Sequence, residues 1–128
     1  MRAVTIAVSY GEAADRLAIL SIKNERIRDP AKLAHVRREL ALLNDAFFAQ
    51  VPPASGFDAL LAELKGVNET LWEIEDALRV REAAGDFGEG FVQLAREVYR
   101  TNDARARLKR AIDELLGSDL REEKSYGE

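Results

Sequence analysis

The sequence predicts an all-α protein, built as an antiparallel four-helix bundle or as two long helical hairpins. Four consecutive segments place apolar residues three or four positions apart, which is the spacing of one buried helix face. Short turn-forming stretches separate these segments, and short connections favour antiparallel neighbours. At 128 residues the chain is long enough for one hydrophobic core but not for two, so a single domain is expected.

Composition excludes several kinds of chemistry. The chain has no cysteine, which removes disulfides, thiolate nucleophiles and cysteine-bound metals, and its single histidine, His35, excludes an all-histidine metal site. With a net charge of −4, any affinity for nucleic acid would need a local basic patch, and none with interleaved aromatic residues is found. We therefore expect no nucleic-acid partner.

The N-terminal segment predicts one short strand at about residues 3–8. Val4, Ile6 and Val8 alternate with smaller or polar residues, which is the period of a strand. No second convincing strand follows, and a lone strand cannot satisfy its own backbone hydrogen bonds. The segment is therefore expected to pair with a partner chain or to lie extended along the helices. It is too short for a signal peptide or a membrane span, so we expect a cytoplasmic protein with no membrane partner.

Capping signals mark the first two helices. Ser9 stands three residues before Glu12, a capping box that opens the first helix. Asp29 is the expected N-cap of the second helix and Pro30 its first helical residue. The stretch VPPASG at residues 51–56 ends the second helix.

The third and fourth helices carry the longest apolar patterns. The third starts near Asp58, and the fourth ends where Gly117 is predicted to be its C′ glycine. Thr101 and Arg105 are polar residues on the apolar stripe of the fourth helix, but the stripe keeps its phase on both sides. A single continuous helix is therefore predicted, and a break at Thr101–Asp103 stays open as an alternative.

The whole chain, residues 1–128, is predicted to form one helical domain. It comprises an extended segment at 1–9, helices within 10–116 and a polar tail at 117–128. Leu120 and Tyr126 are expected to dock this tail on the helices. The bounds follow from where the helical spacing of apolar residues begins and ends, and Leu120 and Tyr126 are the large apolar residues of the tail.

A polar layer is predicted where the third helix folds back on the fourth. Uniform helical rise places Asn68 level with Arg105 and Trp72 level with Thr101–Asn102, with Glu75 in reach of the arginine. Two interpretations stay open. Arg105 is the anion clamp and Trp72 the wall of a small pocket, or the polar side chains satisfy one another and fix helix register.

Paired carboxylates suggest a metal-dependent alternative. Glu73 and Asp76 share a helix face and can hold a hard cation, as the acidic pairs of all-α nucleoside triphosphate pyrophosphohydrolases do. Glu12 and Asp15 form the only candidate for the second pair, and their order and spacing do not match that family. A solvated acidic face is favoured, and no metal ion or cofactor is predicted.

The chain resembles an uncharacterised bacterial family of short helical proteins known only as a domain of unknown function. The resemblance covers nearly the whole chain in five ordered blocks, VSYGEAADRLAILSIKNERI, KLAHVRRELALL, VNETLWEIEDALRVRE, FVQLAREVYRTNDARARLKR and LREEKSY. Members of the family are stand-alone proteins or occur near glycosyltransferase or tetratricopeptide-repeat genes. This implies a link with surface polysaccharides but assigns no catalytic role. The matching positions are Gly11, Glu12, Asp15, Lys23, Asn68, Trp72, Glu75, Asp76, Tyr99, Thr101, Asn102, Asp103 and Lys109.

The function that the sequence favours is a non-catalytic interaction or scaffold protein, a homodimer or the partner of another protein. Its polar layer is a candidate site for a small anionic ligand, and the interpretation that the layer only fixes helix register stays open. The alternatives are a small enzyme or sugar- or nucleotide-binding subunit linked to surface-polysaccharide biosynthesis, and a metal-dependent all-α phosphohydrolase. The candidate ligand-binding residues are Asn68, Trp72, Glu75, Thr101, Asn102, Asp103, Arg105, Glu12, Asp15 and Lys23.

Overall fold

The structure, a computed structural model, describes residues 1–124 and contains four α-helices. These are α1 (Tyr10–Arg26), α2 (Pro30–Gln50), α3 (Phe57–Ala83) and α4 (Glu89–Leu116). The all-α class is therefore confirmed for the described residues. None of the helices in this part of the chain is both long and apolar enough to cross a membrane.

The predicted N-terminal strand is wrong. Residues 1–9 form neither helix nor strand, and the side chains of Val4 and Ile6 are 87% and 66% exposed. The alternation of apolar residues suits a strand, but the described part of the chain offers no second strand with which to exchange backbone hydrogen bonds. The segment does not lie along the chain's own helices either, because its first seven residues are all exposed.

The helices begin and end at the predicted capping residues. The Ser9 hydroxyl accepts a hydrogen bond from the Glu12 backbone N–H at 3.0 Å, and the Asp29 carboxylate accepts one from the Lys32 N–H at 3.0 Å. Gly117 ends α4 in the left-handed region with φ 69°, where a side chain would be strained. Side-chain acceptors thus satisfy N–H groups that the first turns of α1 and α2 leave free.

Helix α1 is the centre of the fold. It packs against each of the other three helices, whereas α2 packs along α1 alone, and α3 and α4 form a long hairpin. The rings of Phe47 and Phe57 stack at a centroid distance of 5.4 Å where α2 ends and α3 begins. All four helices contribute to the core, which consists of Ala14, Leu17, Ala18, Phe47, Phe57, Leu64, Ile112 and Leu116.

The α3–α4 hairpin is longer than the helix that covers it. Its helices have 27 and 28 residues, against 17 in α1. Near the end of α1, the Arg26 guanidinium lies 3.3 Å from the Glu73 carboxylate. The remainder of the hairpin, here called the hairpin tip (residues 76–100), consists of two helices and exposes large apolar side chains such as Val80 and Val92.

Helix α4 is continuous through residues 101–105, so the alternative of a break there is excluded. The tail docks differently from the prediction. Leu120 is exposed, and the contacts are polar instead: the Tyr10 backbone N–H donates to the Ser118 hydroxyl at 3.2 Å, and Glu122 binds a lysine of α4. Tyr126 lies outside the described residues.

A pair of glycine substitutions tests the packing of α1. A Cβ on Gly11 would lie 2.2 Å from the backbone oxygen of Lys109, so α1 and α4 can approach this closely only through a glycine. We expect Gly11→Ala to lower the free energy of unfolding by about 1–3 kcal/mol, because the helices must separate. Urea denaturation measures this change.

The matched control for this substitution is Gly66→Ala in the interior of α3. A Cβ there meets nothing within 4 Å. Alanine should raise the free energy of unfolding by about 0.5–1 kcal/mol, since glycine loses more backbone entropy on folding. A gain of similar size at Gly11 would contradict the close approach of α1 to α4.

Candidate functional site

A buried carboxylate joins three helices. Asp15 of α1 is 1% exposed, and Arg105 of α4 binds both of its oxygens, with Nε donating to Oδ1 at 3.0 Å and Nη2 donating to Oδ2. Asn68 of α3 donates from Nδ2 to the same Oδ1 at 2.9 Å. Arginine suits this position because its planar guanidinium matches a carboxylate with two parallel hydrogen bonds.

The predicted polar layer therefore forms, with a different residue at its centre. Asn68 and Arg105 meet on one oxygen atom, in agreement with the level at which the helical rise places them. The side chain of Glu75, the predicted partner of Arg105, forms no hydrogen bond or ion pair within residues 1–124. Asp15 is the partner instead, because α1 packs against both helices of the hairpin. The register of α3 and α4 alone cannot indicate the position of α1.

A second ion pair lies one turn along α4. The Lys109 ammonium group, almost fully buried, donates to the Glu12 carboxylate at 2.7 Å and lies 2.6 Å from the Glu122 carboxylate. Burial lowers the pKa of Lys109, but its hydrogen bonds to the two carboxylates outweigh burial and raise that pKa above the usual value. The hydrogen bond from Lys109 likewise lowers the pKa of Glu122, against an opposing effect of burial.

The first turn of α1 is held by residues near the end of α4. The Gly11 N–H donates to the Asp113 carboxylate at 2.6 Å, and Asp113 is 1% exposed. An anion is favourable at the start of α1, where free N–H groups carry partial positive charge. In the last turn of its own helix, α4, the Asp113 carboxylate meets the negative end of the helix dipole, which is unfavourable. This unusual position was the one sequence signal that could have identified Asp113 as a functional or structural residue. No buried side-chain nitrogen or oxygen in residues 1–124 lacks a hydrogen-bond partner.

A cleft of about 290 Å³ lies beside the Asp15–Arg105 pair, between α1, α3 and α4. Five candidate residues line it: Lys23, Asn68, Trp72, Glu75 and Arg105. Lys23 and Glu75 make no side-chain hydrogen bond or ion pair to any described residue, and Arg105 Nη1 makes none either. The complete lining is Ile19, Ile22, Lys23, Asn68, Leu71, Trp72, Glu75 and Arg105.

The other candidate residues lie elsewhere. Glu12 binds Lys109, as described, and does not line the cleft. Thr101, Asn102 and Asp103 are half-buried on α4 and also lie outside the cleft lining, with no side-chain hydrogen bond in the described part of the chain. The structure thus brings together five of the predicted residues in the lining of the cleft, and a sixth, Asp15, binds the arginine of the cleft from outside that lining.

The two acidic pairs do not face each other. Glu12 and Asp15 bind cationic side chains of α4, while Glu73 binds Arg26 of α1. Among residues 1–124, no group of three or more histidine, cysteine, aspartate or glutamate side chains is placed to hold a metal ion. The geometry therefore offers no support for a two-motif metal site.

A double-mutant cycle tests the central ion pair. Arg105→Leu leaves the Asp15 carboxylate buried with only Asn68 as a partner, so we expect the free energy of unfolding to fall by about 3–5 kcal/mol. Replacing both residues, Asp15→Leu with Arg105→Leu, should recover most of this loss, because no buried charge is left unpaired. Chemical denaturation of the unchanged protein, the two single variants Asp15→Leu and Arg105→Leu, and the double variant gives the coupling energy between Asp15 and Arg105.

The control for this cycle is Arg79→Ala. Arg79 pairs with Asp76 at 3.8 Å, and both side chains are largely exposed. Its loss should change the free energy of unfolding by less than about 1 kcal/mol. A loss for Arg105→Leu no larger than that of the control would show that the buried pair does not hold the helices together.

Comparison with known proteins identifies a family for the chain. No curated protein and no solved structure matches the chain. A protein-family model described as "Family of unknown function (DUF6165)" matches residues 4–128, a span that contains all four helices, both ion pairs and the cleft. The chain therefore belongs to this family of unknown function.

Proposed function

We propose that the protein is a non-catalytic helical binding protein whose cleft takes a small anionic ligand. The observation that carries the proposal is the state of Arg105. Asp15 holds the guanidinium through Nε and Nη2, which leaves Nη1 without a partner among the described residues in a side chain that lines the cleft. Lys23, a second cation without a partner in residues 1–124, lines the same cleft.

The binding group is held in position before a ligand arrives. Two hydrogen bonds to a buried carboxylate fix the plane of the Arg105 guanidinium, so little side-chain freedom is lost when a third nitrogen binds an anion. The hydrogen bonds to Asp15 also raise the pKa of Arg105 above its usual value, against an opposing effect of burial. The arginine is therefore always charged at physiological pH.

The remaining lining indicates the class of ligand. Trp72 gives a flat apolar wall, and Glu75 is the one carboxylate that lines the cleft, where it can accept a hydrogen bond from a hydroxyl group. The volume of about 290 Å³ lies at the lower end of the range for small-molecule sites, roughly 300–1,000 Å³. A small organic anion with at least one hydroxyl group fits these features best.

The lining offers few groups for catalysis, which favours a binding role. Among the described residues, no histidine, serine, threonine or tyrosine lines the cleft, and Glu75 and Lys23 are its only groups suited to proton transfer. The second candidate is a small enzyme or a sugar- or nucleotide-binding subunit in bacterial surface-polysaccharide biosynthesis. The indole of Trp72 beside Glu75 and Lys23 favours it, because a flat ring with polar neighbours suits a sugar or a base. A cytoplasmic location belongs to the same proposal.

Association of two copies is also part of the proposal. Large apolar side chains are exposed in the N-terminal segment, at Val4 and Ile6, and on α2, at Phe48. Exposed apolar surface of this kind is a common site of association with a partner. Homodimer formation would cover such surface in both copies at once.

Ligand binding can be followed directly, because Trp72 is the only tryptophan of the chain. Titration with inorganic phosphate or 3-phosphoglycerate at constant ionic strength should change the intrinsic fluorescence in a saturable way. Lys23→Gln removes one cation of the cleft without breaking either buried ion pair. We expect this substitution to raise the Kd for the anion about tenfold, which corresponds to a loss of about 1.4 kcal/mol of binding free energy.

The control variant is Lys32→Gln, at an exposed position in the first turn of α2. Its Kd should equal that of the unchanged protein. An equal loss of affinity in both lysine variants would indicate general attraction of anions to the surface. No saturable change with either anion would contradict the proposed cleft.

A further inference from the structure

The N-terminal segment is an exposed apolar arm. Residues 1–8, here called the arm, precede α1, and the side chains of Val4 and Ile6 point into solvent with most of their surface uncovered. The arm ends at Ser9, which is buried and fixed by two hydrogen bonds: its hydroxyl accepts from Glu12 N–H at 3.0 Å, and its carbonyl accepts from Ala13 N–H at 3.1 Å. Solvated apolar side chains next to a rigid anchor suit insertion into another surface.

An open apolar groove lies between α1, α2 and α3. It has a volume of about 650 Å³ and exists because α2 packs along α1 and leaves α3 uncovered. Its walls include Leu17 of α1, Leu40 and Phe48 of α2 and Leu61 of α3. Phe48 is 56% exposed at this groove, so a bound segment would remove substantial apolar surface from water.

The arm is long enough to reach along the groove, and its apolar pattern suits the groove. Eight extended residues span about 26 Å, and the part of α2 that lines the groove between Leu40 and Phe48 spans about 12 Å. In an extended chain, Val4 and Ile6 point to the same side, with Thr5 on the other. Both apolar side chains can therefore enter the groove while Thr5 stays in water.

The groove offers one acceptor for the charge of the arm. The charged side chain of the arm is that of Arg2. Asp58 is the one carboxylate that lines the groove, and it has no ion-pair partner within residues 1–124. Two cations also line the groove: Lys65 is paired with Glu25, and Arg37 donates a hydrogen bond to the Asn24 side-chain oxygen at 3.1 Å. The free carboxylate is left for the basic end of the arm.

We propose that two copies of the chain exchange arms, each arm lying in the groove of the other copy. The arm of the same chain is a poorer occupant, because residues 1–7 are exposed and leave the helices, and the capped conformation of Ser9 holds them in that direction. Reciprocal exchange about a twofold axis uses each arm and each groove once and closes the assembly at two copies. This inference rests on the proposed homodimer and is independent of the ligand cleft.

Light scattering of the full-length protein at tens of micromolar tests the arm first. The unchanged protein should have the mass of two chains and Ile6→Asp the mass of one, because the charge cannot enter an apolar groove. Phe48→Asp should have the same effect from the other side of the contact. Ile6 is exposed in the single chain, so Ile6→Asp should not lower the melting temperature of the monomer much. Phe48 also packs edge-to-face on Phe47 at a centroid distance of 5.1 Å, so Phe48→Asp should lower the melting temperature somewhat and is interpreted beside Ile6→Asp.

Val92→Asp is the matched control. It places the same charge on another exposed apolar side chain, at the hairpin tip and outside the groove. This variant should remain a dimer. If Val92→Asp dissociates the dimer and Ile6→Asp does not, the interface is the hairpin tip and arm exchange is wrong. If the unchanged protein has the mass of one chain at all concentrations, both the homodimer and arm exchange are wrong.

Crosslinking distinguishes exchange between chains from binding within one chain. The natural chain has no cysteine, so Ile6→Cys and Phe48→Cys each introduce the only thiol. The two single-cysteine proteins are mixed and treated with a short bismaleimide, and the crosslinked peptides are identified by mass spectrometry. Exchange predicts a 6–48 crosslink in the mixture, which is then necessarily between chains. The control mixture, Val92→Cys with Phe48→Cys, should give none.

Arm exchange would be contradicted by the following pair of results. A double variant with both cysteines in one chain gives the 6–48 crosslink within a monomer, and the mixture of single variants gives no 6–48 crosslink. That result would place the arm in the groove of its own chain.

Discussion

The hydrogen-bonded pair of Asp15 and Arg105 is the interaction on which the rest of the structure depends. Burying a carboxylate that is 1% exposed is costly unless its oxygens are hydrogen-bonded, and Arg105 and Asn68 supply those bonds from the two helices of the hairpin. The central helix is therefore fixed in both level and rotation on α3 and α4. The buried contact of Lys109 with Glu12 repeats the same device one turn along α4, and the close approach at Gly11 leaves no room for α1 to slide.

Both surfaces proposed to bind something are consequences of this position. The cleft exists because Arg105 reaches α1 with one edge of its guanidinium and leaves another nitrogen unused. The groove exists because α1 is shared: it covers the hairpin on one side and α2 on another, so α2 and α3 never close on each other along their length. A scaffold whose centre is held by paired charges can present two open surfaces without losing the packing between its helices.

Local rules made much of the fold predictable from the sequence. Ser9, Asp29 and Gly117 cap helices through bonds within a few residues, so their roles follow from neighbouring residue types. The common level of Asn68 and Arg105 follows from helical rise about one short turn. The partner of Arg105 could not be predicted in this way. Asp15 lies 90 positions away, and the level of α1 depends on how α1 packs on the α3–α4 hairpin. The N-terminal strand failed for a similar reason: alternation is local, but a strand needs a partner, and none lies in residues 1–124.

Native-state hydrogen exchange of the unchanged protein tests most directly whether buried charges fix α1 on the hairpin. Amides in the middle of α1, around Leu17, should exchange with the same opening free energy as amides of α4 around Leu108, within about 1 kcal/mol, because one cooperative unit contains both. The Gly11 amide, bonded to Asp113, should share that protection. Exchange of α1 at a much lower free energy than α4 would mean that α1 opens alone and would contradict this account.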